Sequence, residues 1–236
     1  MKYGLGWLPS PPDKRDASYT ATRLAAMVDM GLAADIEWSN ANKVLDQDGA
    51  PECVAAGTLG LLNTDDEKHN DPRFTSADIH PFFLTIAGSG PTGAYGREGL
   101  KAAKAAGLIE AYARLGNDAE IDEWLTRGPV AVGTFWTPAM SRPIGDVVEV
   151  DSTISTDAGH WWFFHGQDAY YRHGTNSWGE GWADRGLFRM RRCNFTRLLN
   201  VGGEAWAVVQ PVATQPRPKL SLIQVLIDFL TNLFRK

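Results

Sequence analysis

The order of patterns along this chain limits its fold more than any single residue does. Before Asn117, apolar residues recur at helical spacing among many small ones; after it, they gather in short β-prone runs. Residues 53–62 (CVAAGTLGLL) have helical character, and Ala55, Ala56, Gly57 and Gly60 suit close packing. Residues 99–115 (GLKAAKAAGLIEAYARL) read as an Ala-rich helix, and 65–73 as a polar loop. Strand-like runs follow at 130–135, 147–150, 161–164, 186–190 and 205–209. Helices first and strands second imply an α+β fold with a helical half and a β-rich half.

The 236 residues are 44% hydrophobic and 22% charged, enough for one domain with a sizeable core and incompatible with disorder. Lys and Arg number 23 against 28 Asp and Glu, a net charge of −5, so no basic face is available for nucleic acid. Two cysteines, Cys53 and Cys193, exclude a disulfide framework and a Cys-rich zinc site. Residues 1–12 lack the charged and apolar regions of a secretory signal peptide. Residues 220–234 contain Gln224, Asp228, Thr231 and Asn232, too short and too polar a run for a transmembrane segment. The expectation is a soluble chain from a reducing compartment, cytoplasmic or virion-associated.

Three regions are expected. Residues 1–34 hold a Pro-rich opening and a short helix over 20–30; the first 15 residues read as an arm lying on something larger. Residues 35–212 form the globular domain. Residues 213–236 complete a Pro-rich linker and add a helix on which Leu222, Ile223, Leu226, Ile227, Leu230, Leu233 and Phe234 make one apolar stripe. A helix of roughly 22 Å with an uncharged polar face is expected to dock in an oligomer or a larger assembly rather than on a membrane.

A thiol nucleophile needs a base beside it, and a helix N-terminus stabilises the thiolate. Cys53 stands at such a start, although a lone cysteine there is more often a small buried hydrophobe. His160 opens the run HWWFF and could be delivered by a strand; sixteen residues later Asn176 begins NSWGEGW. His165, five residues beyond His160, would face the other side of a strand. His69, His80 and His173 read as surface or loop residues without metal-ligand spacing. Residues 88–93 (GSGPTG) match a dinucleotide glycine pattern, but Pro91 interrupts it and no βαβ series follows. Trp7, Trp38, Trp124, Trp136, Trp161, Trp162 and Trp206 read as packing residues, and Cys193 as a packed free thiol.

Residues 47–53 (QDGAPEC), 159–166 (GHWWFFHG) and 176–190 (NSWGEGWADRGLFRM) resemble the three signature segments of papain-like cysteine peptidases, and the likeness extends over about 35–212. The resemblance implies a papain-like fold, a helical subdomain and a β-barrel-like subdomain with the active-site cleft between them. It implies Cys53 as nucleophile, His160 as general base and then acid, Asn176 holding the imidazole, and Gln47 offering its amide to the oxyanion. Trp178 would cover the His–Asn bond, Trp182 would pack, and Gly93 would line the cleft and touch substrate. A polypeptide substrate follows, with no metal and no cofactor. Ala50 and Val54 depart from the family pattern, and the 107 residues from Cys53 to His160 resemble compact bacterial and phage members. About 34 residues precede the domain, fewer than the long inhibitory propeptide of secreted relatives. Two other readings remain: a non-catalytic papain-fold assembly protein, such as a phage virion component, and a cell-wall peptide hydrolase, for which no wall-binding module is seen.

Overall fold

A computed structural model describes residues 3–19, 36–40, 44–65 and 73–210. Within them the chain passes through β1 (Trp7–Leu8), β2 (Ile36–Glu37), β3 (Ser39–Asn40), α1 (Cys53–Leu62), β4 (Thr64–Asp65) and α2 (Ile79–Phe83). Then come β5 (Ala94–Tyr95), α3 (Gly96–Ala105), β6 (Ala111–Leu115), α4 (Asp118–Leu125), β7 (Val130–Phe135) and β8 (Val147–Val148). The last are β9 (Gly159–Gln167), β10 (Tyr171–Thr175), β11 (Leu187–Arg191), α5 (Arg192–Asn200) and β12 (Glu204–Val209).

The main sheet runs β6-β12-β7-β9-β10-β11-β8, and β2 also pairs with β9. Its pairings are antiparallel except β11 with β8. Among the described residues it stays open at β6 and β8 rather than closing into a barrel. β9 is buried along its whole length, and its alternation divides the core. Trp161 and Phe163 join α1, Phe82 and Leu100 in one cluster. Trp162 and Phe164 join Ile121, Phe188 and Phe195 in the other. All ten residues of α1 are buried, as expected of a helix apolar on every side. Gly57 and Gly60 let it lie directly on β9: Cβ atoms there would stand 2.7 Å from Trp161 Cδ1 and 2.9 Å from Phe163 Cε1.

The structure corrects the long helix read over 99–115. α3 ends at Ala105 because Gly107 takes a left-handed conformation (φ 67°) and its N–H bonds to Lys104 O, while Leu108 N–H bonds to Ala103 O. The alternating residues that follow pair with β12 as β6. The strand read over 147–150 shortens to Val147–Val148. The opening segment lies on its own domain, not on something larger: β1 pairs in parallel with β5, and Arg114 N–H bonds to Ala17 O. The helix read over 20–30, residues 211–218 and the C-terminal amphipathic helix lie outside the described residues. No helix among the described residues is long and apolar enough to cross a membrane.

Asn117 caps α4 by accepting Glu120 N–H at 3.0 Å. That helix presents Asp118 and Asp122 to Arg172 of β10, whose guanidinium is fully buried and lies 2.7 and 2.8 Å from their carboxylates and 5.1 Å above the Phe195 ring. Removing one partner of a buried pair typically costs about 3–5 kcal/mol. Arg172→Ala is therefore expected to lower the unfolding free energy by about that amount in urea titration.

Candidate active site

Cys53 is the first residue of α1, with Glu52 before it making no side-chain cap. Glu52 instead takes His80 Nδ1 at 2.6 Å. The thiol is fully buried. Burial pushes it up to about 12, against the backbone N–H groups of Trp161, Gly6, Val54 and Cys53 itself, which favour a thiolate. In this closed arrangement the sulfur is a neutral thiol at physiological pH.

His160, on β9 one residue before Trp161, is also fully buried, and its Nε2 lies 2.6 Å from Asn176 Oδ1. The same oxygen accepts Ser177 N–H at 2.7 Å, which identifies it as the carbonyl end of the amide. Nε2 must therefore donate, and the neutral ring keeps Nδ1 as a bare acceptor. Nδ1 has no hydrogen-bond partner. Burial lowers the His160 pKa to about 4, against the raising effect of Asn176. Trp178 lies tilted beside the imidazole with centroids 4.7 Å apart, and Trp136 meets it edge-on at 4.8 Å.

Gln47 is held at both ends of its amide. Oε1 accepts Ser177 Oγ–H at 2.6 Å, and Nε2 donates to Gly4 O at 3.1 Å and to Ala50 O. Trp178 Nε1–H donates to the same Gly4 oxygen at 3.2 Å, and Tyr3 stacks on the Trp178 indole at 4.4 Å.

Residues 3–7 thus thread the site. Gly6 N–H bonds to Gly159 O at 3.1 Å, and Ala94 N–H bonds to Gly6 O at 2.8 Å. Only glycine fits here: a Cβ on Gly4 would stand 2.0 Å from Ala50 O, and one on Gly6 2.2 Å from Pro51 O. Gly93 (φ 115°) faces the segment, since its Cβ would stand 1.7 Å from Gly6 O. Trp7 then turns into the domain, and its Nε1–H donates to Glu204 Oε1 at 2.7 Å. Beyond it, buried Arg97 bonds to Pro11 O and Asp16.

Gln47, Cys53, Gly93, His160, Asn176 and Trp178 all meet around this segment or around one another. His165 does not join them. It lies on the opposite side of β9, 2.9 Å from Glu37 and 3.0 Å from Thr175. His173 sits on β10 rather than in a loop, between Glu37 and Asp168. Cys193 is free but exposed, not packed, because it falls on the outer face of α5. No group of three His, Cys, Asp or Glu able to hold a metal gathers among the described residues. Ser177 lay within a motif without an assigned role, and three participants lay beyond the motifs: Trp136, Glu204 and the N-terminal segment. The alternation of Gly4 and Gly6 before Trp7 was the one local signal for the last.

Two expectations follow. In the native protein Cys193 reacts quickly with a thiol-directed reagent and Cys53 slowly. Gly6→Val, which drives the segment off Pro51, raises the Cys53 rate by about tenfold or more, because a locally opened state becomes the populated one. Acid also weakens the fold through His160. Its folded pKa lies below the unfolded value of 6.5, so its contribution is complete above pH 6.5 and is lost as pH falls from 6.5 to 4. The loss reaches about 3 kcal/mol, and His160→Gln should flatten that part of the stability–pH curve.

No protein-family model matches the sequence, and no curated protein matches it. Solved structures do. Xylellain, a cysteine protease from Xylella fastidiosa, superposes with a TM-score of 0.64 at 17% identity, over 89% of this chain and 97% of that one. Procathepsin L2 from Tenebrio molitor larval midgut gives 0.66 at 17% identity, over 88% and 78%. The bromelain protease from Ananas comosus, in complex with the E64 inhibitor, gives 0.58 at 14%, over 76% and 100%. With an open mixed sheet packed on a buried helix that starts at a cysteine, the chain has the papain-like cysteine protease fold.

Proposed function

We propose that the chain is a cysteine peptidase whose N-terminal segment occupies its own cleft. The observation that carries this reading is the 2.6 Å His160–Asn176 bond beside Trp178, formed one residue before the backbone N–H that reaches the Cys53 sulfur. The fold shared with cysteine proteases supports it.

With the segment in place, thiol and imidazole are both neutral. Its departure would hydrate them, lowering the thiol pKa and raising that of the imidazole, so that the proton moves from Sγ to Nδ1. The thiolate then attacks a peptide carbonyl, forming the S–C bond. Gln47 Nε2 and the Cys53 N–H hold the oxyanion, a task for which the Gly4 oxygen on Gln47 stands in here. His160 gives its proton to the leaving amine as the C–N bond breaks. Water, deprotonated by His160, attacks the thioester and releases the acid and the thiolate. Asn176 keeps the imidazole in the productive tautomer throughout.

The test is intact-mass labelling with a thiol-directed epoxide, together with hydrolysis of unfolded casein, on full-length Gly6→Val protein. Labelling of Cys53 ahead of Cys193, together with turnover, is expected; both are lost in Cys53→Ala and kept in Cys193→Ala. His160→Ala should reduce turnover by about 10²–10⁴-fold, and Gln47→Ala by about 10²–10³-fold. Labelling of an opened Cys53 no faster than that of Cys193, and insensitive to His160, would leave a non-catalytic protein of this fold.

A further inference from the structure

The residue before the nucleophile carries a charge that the mechanism does not use. Glu52 stands at the N-cap of α1, where an acidic side chain ordinarily accepts the N–H groups of the first turn. Glu52 accepts none of them. Its carboxylate, 11% exposed, turns instead to α2, where His80 Nδ1 meets Oε1 at 2.6 Å. The donors it leaves alone include the N–H groups of Cys53 and Val54, which reach the sulfur. The His80 side chain is 67% exposed, so solvent can give its ring a proton or take it away. The other ionisable groups on the segments around this end of α1 are held elsewhere. Asp78 accepts Thr75 N–H and Oγ–H, Asp46 accepts Asp48 N–H, and Asp48 itself faces solvent. On α3, Arg97 pairs with Asp16 and Glu98 with Lys101, while Lys104 is exposed at its far end. On β9, His160 bonds to Asn176 and His165 to Glu37, and Asp65 of β4 follows the opposite end of α1.

We propose that Glu52 and His80 are positioning residues for the nucleophile: His80 holds the carboxylate off the first turn of α1, leaving the donors there to the Cys53 thiolate, and holds it most firmly when charged. The inference rests on the peptidase reading for the reaction it tunes, but not for the thiol it acts on. Protonated His80 and ionised Glu52 are together neutral, so the helix N-terminus acts on the sulfur unopposed. When His80 loses its proton, two things change. The carboxylate becomes an uncompensated negative charge on the residue next to the thiolate, and like charges that close disfavour each other. Its restraint also weakens, because a bond with charge on both sides is stronger than one with charge on the acceptor alone. The released carboxylate can then take the Val54 N–H as a cap. Both effects return the proton from His160 Nδ1 to the Cys53 sulfur. Histidine is the side chain whose charge changes between about pH 5 and 8, so the nucleophile is strongest on the acid side of that change.

The test is the pH profile of Cys53 labelling and of casein hydrolysis in full-length Gly6→Val/Cys193→Ala protein, between about pH 5 and 9. Both rates should step down by about threefold or more where His80 loses its proton, a point fixed independently by NMR titration of its ring. His80→Gln should hold both rates at the lower level throughout, and Glu52→Gln at the upper level. His80→Lys, which keeps the charge, should carry the upper level to the alkaline end. A purely structural contact predicts the reverse pattern, equal losses from either partner and no step. Equal losses in His80→Gln and Glu52→Gln, or a step that survives both, therefore overturn the proposal. A second arm adds His160→Ala, which leaves a lone thiol. There Glu52→Gln should lower the pH at which Cys53 becomes reactive by about half a pH unit or more. That shift, together with labelling that is indifferent to His160 and no casein turnover, overturns the peptidase reading and keeps the Glu52–His80 pair. Absence of the shift overturns the pair even where casein is cut.

Discussion

The contact of α1 with β9 is the constraint from which the site follows. Gly57 and Gly60 bring the helix within van der Waals reach of Trp161 and Phe163, and both elements are buried throughout. The helix begins at Cys53 and the strand at Gly159, so the close approach sets the Cys53 sulfur beside the N–H of Trp161, the residue after His160. A side chain at Gly57 would lift the helix by the width of a methyl group, and interiors packed at crystal density have no slack for that. Small residues in α1 therefore act on chemistry through distance, without touching a substrate.

The N-terminal segment is held by a few strong features rather than by a broad surface. Trp7 is the chief one: burying an indole removes roughly 150–250 Å² from water, worth about 4–6 kcal/mol before ordering costs. The glycine backbone adds bonds to Gln47, Trp178, Gly159 and Ala94, and the Arg97–Asp16 pair ties down the stretch beyond. Because the Gly6 N–H of the same segment reaches the Cys53 sulfur, the energy that orders the segment also holds the thiol's surroundings in place.

Much of this architecture was legible in the sequence. The helix at Cys53 and the strands around His160 carry strong local patterns, and the class followed from their order. The break after Ala105 was not legible, because Ala-rich periodicity continues through it and only the backbone of Gly107 ends the helix. The meeting of Gln47 with Ser177 depends on chain crossings about 130 residues apart, which the spacing of motifs alone cannot express. The opening segment misled most. Its prolines read as an arm lying on something larger, while its fit to the site rests on two glycines whose lack of a side chain leaves no compositional trace. Glu204 was hidden for another reason: it stands just before the strand read over 205–209, yet here it opens β12 and is buried beneath an indole from the other end of the chain.

Joining the occupant to the cleft by a covalent chain changes what a free peptide must overcome. A tethered ligand acts at an effective concentration in the millimolar range for short flexible connections, and Pro9, Pro11 and Pro12 narrow the conformations open to this one. A diffusing peptide of equal intrinsic affinity would have to reach that concentration to share the site. Cutting the chain anywhere between Leu8 and Asp16 would dilute the occupant to the concentration of the protein itself. Sensitivity to peptides would then change by orders of magnitude without any residue of the cleft moving.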